Sequence, residues 1–517
     1  MCERVVPLAM RVLYLDVDSL RPDHLGCYGY ERDTSPTIDR LAESGRRFTD
    51  CYASDVPCLP SRTALFTGRL GIHTGVVNHG GGNAEPRRRG VQRAFNTQLG
   101  EYRTWMTALR EVGHRTALIS PFPQRHGAWH VLDGFEEWHD TGEGGRETAD
   151  IVYERAAAWL EDNAAAADWY CHVNFWDPHA PYDTHAEYGD PFAGEPAPDW
   201  LDDDRIREQR ASYGPHGARE PHGWGGGVDV ERMPDEIAGR EQFVEWINGY
   251  DTGVRYMDEH VEKLVGVLES AGVREETLIV VSADHGENLG ELNVYGDHQT
   301  ADRQTCRVPL IVSGPGVEPG VDEELHYQID LAPTITELVG GEPRPEWDGR
   351  SFAQSLTEGA AAGREYLVVS QGAWACQRGV RWDDYLLLRT YHDGLKDFEP
   401  VELYDLADDP HETANLARER PTLAREGLTL LGEWRDRHRL AAATDRAGGN
   451  PDGDRSVTDP LFEVIREGGP YHVRDRRESY VRRLRETDRE THARKVESRE
   501  GIVPADVTAY LDGADAW

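Results

Sequence analysis

Two pairs of ionisable side chains stand where apolar strands are predicted to end. The segment RVLYLDVDS places Asp16 and Asp18 at the end of one strand, and TLIVVSADHG places Asp284 and His285 directly after another. Carboxylate oxygens and imidazole nitrogens are common ligands of divalent cations. Ligand sites in mostly parallel α/β sheets lie beyond the carboxyl ends of the strands. These residues are therefore candidate metal ligands.

A second candidate centre is the segment CLPSR, which runs from Cys58 to Arg62 and leads into TALFTG. Pro60 suits the first turn of a helix, so Cys58 is predicted at a helix N-terminus. The partial positive charge there favours an anion or an activated nucleophile. His179 stands between two prolines in FWDPHAPY, which fixes an imidazole in a loop after a strand. Taken singly, each residue is more often structural: a buried thiol, a helix cap or an uninvolved loop histidine.

Taken together and in this order, these segments resemble the sulfatase family of the alkaline phosphatase-like fold. Cys58 to Arg62 matches the family's C-x-P-S-R signature. The segments RVPLIV from Arg307, DLAPTITELVG from Asp330 and ELYDLADDPHETANLA from Glu402 follow in the family's order. The resemblance covers roughly residues 9–440, and several motifs in order are far more specific than one.

The resemblance implies a chemistry. Cys58 would be oxidised to formylglycine by a formylglycine-generating or equivalent maturation enzyme, and its hydrate would attack sulfur to form a covalent sulfo-enzyme. A divalent cation, usually Ca²⁺ with Mn²⁺ as the alternative, would offset charge on the sulfuryl oxygens. The resemblance also implies that the cation is held by Asp18, Asp284 and His285. Arg62 would steady the nucleophile, and His179 would protonate the leaving oxygen.

The chain also departs from the family pattern. Ser19 stands where many sulfatases have a second Asp, so Asp16 is kept as a further candidate ligand. Two family cationic groups are replaced by the SPFP segment, and Arg125 and His126 are candidate substitutes. His298 aligns with a family Lys and is predicted to make catalysis pH-sensitive.

Two more candidate substrate-binding residues, His73 and Asn78, follow the signature helix in GRLGIHTGVVNHGG. Related phosphonate and phosphate ester hydrolases have a polar residue similar to Asn78 at this point.

The elements that must position these residues alternate between strand and helix. Short apolar runs such as TLIVVS and PLIVS are typical of strands covered on both faces. The pattern predicts an α/β fold with a large, mostly parallel sheet flanked by helices. We expect a catalytic domain over 1–363 with an insertion at about 186–234, and a smaller α+β subdomain over 364–440. A polar linker and a charged, helical tail are expected over 441–517.

Composition limits the partners. Asp and Glu total 94 against 56 Lys and Arg, which gives a formal net charge of −38. Such a chain does not attract nucleic acid phosphates or an anionic membrane surface. The only lysines are Lys263, Lys396 and Lys495. An acidic, lysine-poor surface predicts a halophilic source.

The location is predicted from what the sequence lacks. The first residues run directly into a strand-like segment without a signal-peptide pattern, and no apolar run reaches the length of a membrane span. The seven scattered cysteines suit no disulfide framework. A cytoplasmic protein is predicted.

We interpret the chain as a sulfuric ester hydrolase acting on a small-molecule or glycan ester, for example a sulfated sugar. A phosphodiester or phosphonate monoester hydrolase on the same scaffold is the alternative. LDVDS also resembles the opening of haloacid dehalogenase-type phosphatases, but that interpretation leaves CLPSR unexplained. If Cys58 remains a thiol, the chain could instead be a metal-binding protein without activity.

Overall fold

The computed structural model describes residues 10–86, 103–224, 230, 232–444, 458–499, 501–503 and 506–513. The strands are β1 (Arg11–Val17), β2 (Arg46–Tyr52), β3 (Asp55–Val56), β4 (Arg115–Ile119), β5 (Glu137–His139), β6 (Trp169–Phe175), β7 (Thr277–Ser282), β8 (Asn288–Leu289), β9 (Tyr295–Asp297), β10 (Arg307–Ser313), β11 (Gly320–Tyr327), β12 (Tyr366–Gln371), β13 (Cys376–Trp382), β14 (Tyr385–His392) and β15 (Val401–Asp405).

The α-helices are α1 (Pro36–Ser44), α2 (Cys58–Thr67), α3 (Gly71–Thr74), α4 (Met106–Glu111), α5 (Phe122–His126), α6 (Ala149–Asn163), α7 (Asp203–Ala211), α8 (Arg240–Ser270), α9 (Arg303–Cys306), α10 (Leu331–Leu338), α11 (Ala353–Glu358), α12 (Pro421–Thr444), α13 (Pro460–Arg466), α14 (Arg477–Glu486), α15 (Glu490–Ser498) and α16 (Val507–Leu511).

Within the described residues, the large sheet has eight strands in the order β11-β2-β10-β7-β1-β6-β4-β5. Only β10 runs antiparallel to its neighbours; the other adjacent pairs are parallel. The central strands β1, β6 and β7 are mostly apolar and are buried along their whole length, as expected of strands that are covered on both faces. The expected α/β fold with a mostly parallel sheet is confirmed.

Helix α8 shows how a flanking layer is built. It is 31 residues long, and Phe243, Tyr250, Val254 and Val261 on one of its faces are buried. Apolar side chains three and four positions apart lie on one face of a helix and pack against the sheet. The opposite face includes the exposed Glu241, Glu245 and Lys263.

A second sheet of five strands, in the order β15-β14-β13-β12-β3, lies in the C-terminal part of the chain and is joined by a short strand preceding α2. Helix α12 packs against this sheet. The segment 186–234 is mostly irregular in its described part and carries α7. Of the expected polar linker, residues 445–457 lie outside the described residues.

The described part of the tail carries α13 to α16. No helix among the described residues is long and apolar enough to cross a membrane.

Candidate active site

The register of the two central strands places the first two candidate ligands side by side. Asp16 pairs with Ser282 in the parallel ladder of β1 and β7. Continuing both strands by two residues brings Asp18 level with Asp284. Both carboxylates are fully buried at the carboxyl edge of the sheet. Parallel pairing therefore assembles the acidic site from residues far apart in the sequence.

Helix α2 brings the thiol to the same point. Cys58 is the first residue of α2, and its Sγ lies 3.2 Å from His285 Nε2. One ligand atom each from Asp18, Cys58, Asp284 and His285 lies within 4.8 Å of the others. The Ser61 hydroxyl donates to the Asp284 carbonyl at 2.5 Å, which fixes α2 to the end of β7.

Arg62 lies among three carboxylates. Its Nε donates to Asp16 at 2.9 Å, and its Nη1 donates to Asp18 at 2.9 Å and to Asp284 at 2.6 Å. Burial opposes ionisation of Asp18, but Arg62 still lowers the pKa of that carboxyl. At Asp284, burial outweighs Arg62, and the neighbouring Asp18 and Asp16 help raise the pKa. One guanidinium does not balance three carboxylates, so the site carries surplus negative charge.

His285 presents a lone pair to this cluster. Its Nδ1–H donates to the Gly286 carbonyl at 2.8 Å, so Nε2 is unprotonated in the neutral ring. Burial lowers the pKa of His285 to about 4, which keeps the ring neutral at pH 7. The Nε2 lone pair lies 3.3 Å from Asp284 Oδ2. Carboxylate oxygens and an imidazole lone pair this close together are the ligand set that a divalent cation suits, and a bound cation would favour the ionised form of Asp284. Asp18, Asp284 and His285 therefore fit the cation implied by the family.

Cys58 does not have the electrostatics of a free thiolate. Burial raises the pKa of its thiol well above the usual range, and Asp18 and Asp284 raise it further. The expected activation by the helix N-terminus is outweighed by these carboxylates and by burial. The unmodified thiol is thus a poor nucleophile.

His179 and His298 lie beside this cluster. The His298 ring centroid is 4.2 Å from that of His285 and 5.5 Å from that of His179. Nδ1 of His179 contacts the Ala180 carbonyl, which directs a proton to Nδ1 and leaves Nε2 as an acceptor. Burial, followed by His285, lowers the pKa of His298 well below its usual range. His298 is therefore neutral at pH 7 and would not supply the positive charge of a Lys.

Arg125 and His126 lie at the end of α5 and differ in charge. Burial, followed by Arg125, lowers the pKa of His126 to about 3, so this ring is neutral. The guanidinium of Arg125 stacks 4.4 Å above the Trp176 ring and donates to the Gly144 carbonyl at 3.0 Å. Of the two expected substitutes for the missing cationic groups, only Arg125 supplies positive charge.

Three other expected site residues have different surroundings. Asp16 does not belong to the group of potential metal ligands around Asp18. It lies two residues before Asp18 on β1, and its Oδ2 contacts Arg62 Nε and His172 Nε2 instead. His73 lies apart from the cluster, in a group with Asp348 and His438. Its Nδ1 is 2.7 Å from Asp348 Oδ2.

Asn78 is fully buried, and its Oδ1 accepts from the backbone N–H groups of His79 at 2.9 Å and Tyr471 at 3.2 Å. Its Nδ2 is a buried donor without a partner among the described residues.

Sequence reasoning missed two histidines near the site. His172 on β6 contacts Asp16 at 3.2 Å, and the alternation along that strand could have indicated it. His79 accepts from the Leu59 N–H at 3.5 Å, and its place next to Asn78 was the available signal.

Comparisons with known proteins identify the family. The family model described as Sulfatase matches residues 11–341, more than half of the chain. The chain belongs to the sulfatase family. A second model, described as N-sulphoglucosamine sulphohydrolase, C-terminal, matches residues 290–425. The family predicted from the sequence is confirmed.

Individual relatives have low sequence identity to this chain, but the matches cover most of the length of each relative. Choline-sulfatase of Rhizobium meliloti (strain 1021) is 24% identical, over 84% of this chain and 88% of the relative. A solved structure in complex with its substrate D-glucosamine-2-N,6-O-disulfate has a TM-score of 0.63 at 21% identity, over 85% of this chain and 99% of that chain. Phosphonate monoester hydrolase from Silicibacter pomeroyi has a TM-score of 0.61 at 22% identity, over 87% of this chain and 97% of that chain. These structural likenesses show the fold.

Proposed function

We propose that this sulfatase-family hydrolase cleaves a sulfate ester, and that residue 58 is the nucleophile after Cys58 has been converted to formylglycine. The observation that carries the proposal is the convergence of Asp18, Cys58, Asp284 and His285 within 4.8 Å. Formylglycine supplies a hydrated aldehyde, which is a nucleophile that needs no thiolate. The neutral thiol of Cys58 supports this, because the site disfavours the charged alternative.

Asp18, Asp284 and His285 would hold a divalent cation, and a bound cation would offset charge on the sulfuryl oxygens. The two carboxylates favour Ca²⁺, and the imidazole nitrogen keeps Mn²⁺ as the alternative.

Arg62 and His179 would act directly on the ester. Nη2 of Arg62 is buried and has no partner among the described residues, so it can donate to a sulfuryl oxygen. His179 is placed by its Nδ1 contact to present Nε2. Burial lowers the pKa of this ring and Asp18 opposes that shift, so Nε2 would first take up a proton and then pass it to the leaving oxygen.

The charge of the site favours a singly charged ester. Arg62 is already paired with three carboxylates, and His126, His285 and His298 are neutral. A sulfate monoester carries one negative charge, whereas a phosphate monoester carries close to two at neutral pH. The sulfated-sugar substrate named for one structural neighbour supports a sulfated sugar as the substrate class.

A phosphodiester or phosphonate monoester is also singly charged, so that hydrolase is the second candidate. The likeness to a phosphonate monoester hydrolase supports this second candidate.

The net charge of −38 supports a further proposal, that the protein works at high salt.

Two measurements test the proposal. Peptide mass spectrometry of the segment carrying Cys58, on protein from its native host, should show the aldehyde that a maturation enzyme would introduce. Parallel assays should show faster turnover of an aryl sulfate than of an aryl phosphodiester or an aryl phosphonate monoester. An unmodified thiol in native protein contradicts the mechanism, and a strong preference for a phosphorus ester favours the second candidate.

A further inference from the structure

The C-terminal segment reaches the start of the signature helix α2. His472, between α13 and α14, donates its backbone N–H to the Ala373 carbonyl at 3.0 Å and stacks on Trp374 with ring centroids 4.4 Å apart. The preceding Tyr471 N–H donates to Asn78 Oδ1. The family models end at residues 341 and 425, so this segment lies beyond both of them.

Three groups form a hydrogen-bonded chain from this segment to α2. The Leu59 N–H donates to His79 Nε2 at 3.5 Å, so this nitrogen carries the lone pair. Neutral His79 then has its proton on Nδ1, which lies 2.9 Å from His472 Nε2. His79 therefore donates to His472, and His472 has its own proton on Nδ1. Burial lowers the pKa of both rings, in agreement with neutral imidazoles.

The Leu59 N–H is one of the groups that a helix cannot satisfy within itself. The first N–H groups of a helix have no intrahelical partner, and Pro57 at the N-cap provides no side-chain acceptor. His79 provides that acceptor from a neighbouring loop. Since Leu59 directly follows Cys58, this hydrogen bond holds the backbone turn that carries the reacting residue.

We propose that His472 is a positioning residue of the active site. By accepting from Nδ1–H of His79, it selects the tautomer and ring orientation in which His79 caps the first turn of α2. The tail thereby contributes to the geometry of residue 58 without contacting the ester. This inference rests on the proposed function only because it takes residue 58 to be the reacting residue.

The test compares two substitutions at His472 with a control in the same tail. His472→Leu removes the acceptor and keeps apolar bulk, whereas His472→Gln retains an oxygen that can accept from His79. His492→Leu is the control, since this histidine on α15 packs against Tyr213 with ring centroids 5.1 Å apart. Each rate is divided by the fraction of residue 58 present as formylglycine, measured by mass spectrometry.

We expect His472→Leu to lower kcat on an aryl sulfate about tenfold, the size of effect expected from one hydrogen bond, with KM nearly unchanged. His472→Gln should recover most of the lost rate, and His492→Leu should match the parent. A parent-like kcat for His472→Leu overturns the proposal. Equal losses for the Leu and Gln variants do so as well, because the acceptor would then not matter.

A spectroscopic readout tests the same proposal without activity. Two-bond ¹⁵N–¹H correlation in the full-length parent should show His79 protonated on Nδ1, and His472→Leu should shift that ring toward a mixture of tautomers. His79 protonated on Nε2 in the parent overturns the inference. This result stands even if Cys58 is found as a thiol, so it separates failure of the inference from failure of the proposed function.

Discussion

Replacing Arg62 by Met tests whether the site is held by a single cation among surplus carboxylates. Arg62 makes three ion pairs of 2.6 to 2.9 Å with buried carboxylates. Its guanidinium is itself 1% exposed, so water does not screen these pairs. Removing one partner of a buried pair costs about 3–5 kcal/mol, because the remaining charge stays buried and unpaired. With three carboxylates left, we expect Arg62→Met to lose stability at the upper end of that range.

The assay is urea unfolding followed by far-UV circular dichroism, in a chelator so that no added divalent cation offsets the carboxylates. Arg40→Met is the matched control, since Arg40 pairs with Glu262 at 2.8 Å where the two side chains are 56% and 61% exposed. Exposed pairs contribute about 0–1 kcal/mol, so the control should unfold almost as the parent does. Equal losses of stability in Arg62→Met and Arg40→Met would refute the reasoning.

Three other predictions follow from single residues. Cys58→Ala should abolish turnover and leave the circular dichroism spectrum of the parent; normal turnover would remove Cys58 as the nucleophile. Asp284→Asn should abolish turnover and weaken divalent-cation binding in calorimetry at least tenfold, whereas Asp33→Asn on the surface should change neither. Burial raises the pKa of Glu402 to about 8, so its contribution to stability is full below its unfolded pKa of 4.5 and is lost as the pH rises through 8. Glu402→Gln should therefore be more stable than the parent at pH 8.5, by about 4–5 kcal/mol, and should gain little at pH 4, as urea unfolding at the two pH values would show.

The candidate cation site is the part of the candidate active site that could be predicted from the sequence. The ends of apolar strands can be recognised in the sequence, and parallel strands bring their carboxyl ends to one edge of the sheet. Asp18 and Asp284 could therefore be placed together from the sequence pattern alone. The same reasoning extends to His285, which is the next residue along the chain.

Contacts that depend on tertiary packing could not be predicted in this way. His79 and His472 are 393 residues apart, and neither lies in a periodic segment that would indicate a shared location. His73 has the same neighbourhood in the sequence as Asn78, yet its short helix α3 directs it toward Asp348. The low pKa of His298 likewise depends on burial, to which the residue type gives no guide.

The carboxylates that suit a divalent cation also give a physical reason for the proposed modification of Cys58. Without a cation, Asp18 and Asp284 hold the residue as a neutral thiol, because burial and their charge raise its pKa. Cys58 Sγ lies within 4.8 Å of the ligand atoms of Asp18, Asp284 and His285, so a cation held by those residues would stabilise a thiolate as a metal ligand and not as a free nucleophile. An unmodified cysteine at this position would therefore be a poor nucleophile in both states. A nucleophile that is uncharged before attack avoids both problems, and a hydrated aldehyde is such a group. The acidic site and the proposed conversion of Cys58 would thus be two parts of one electrostatic arrangement.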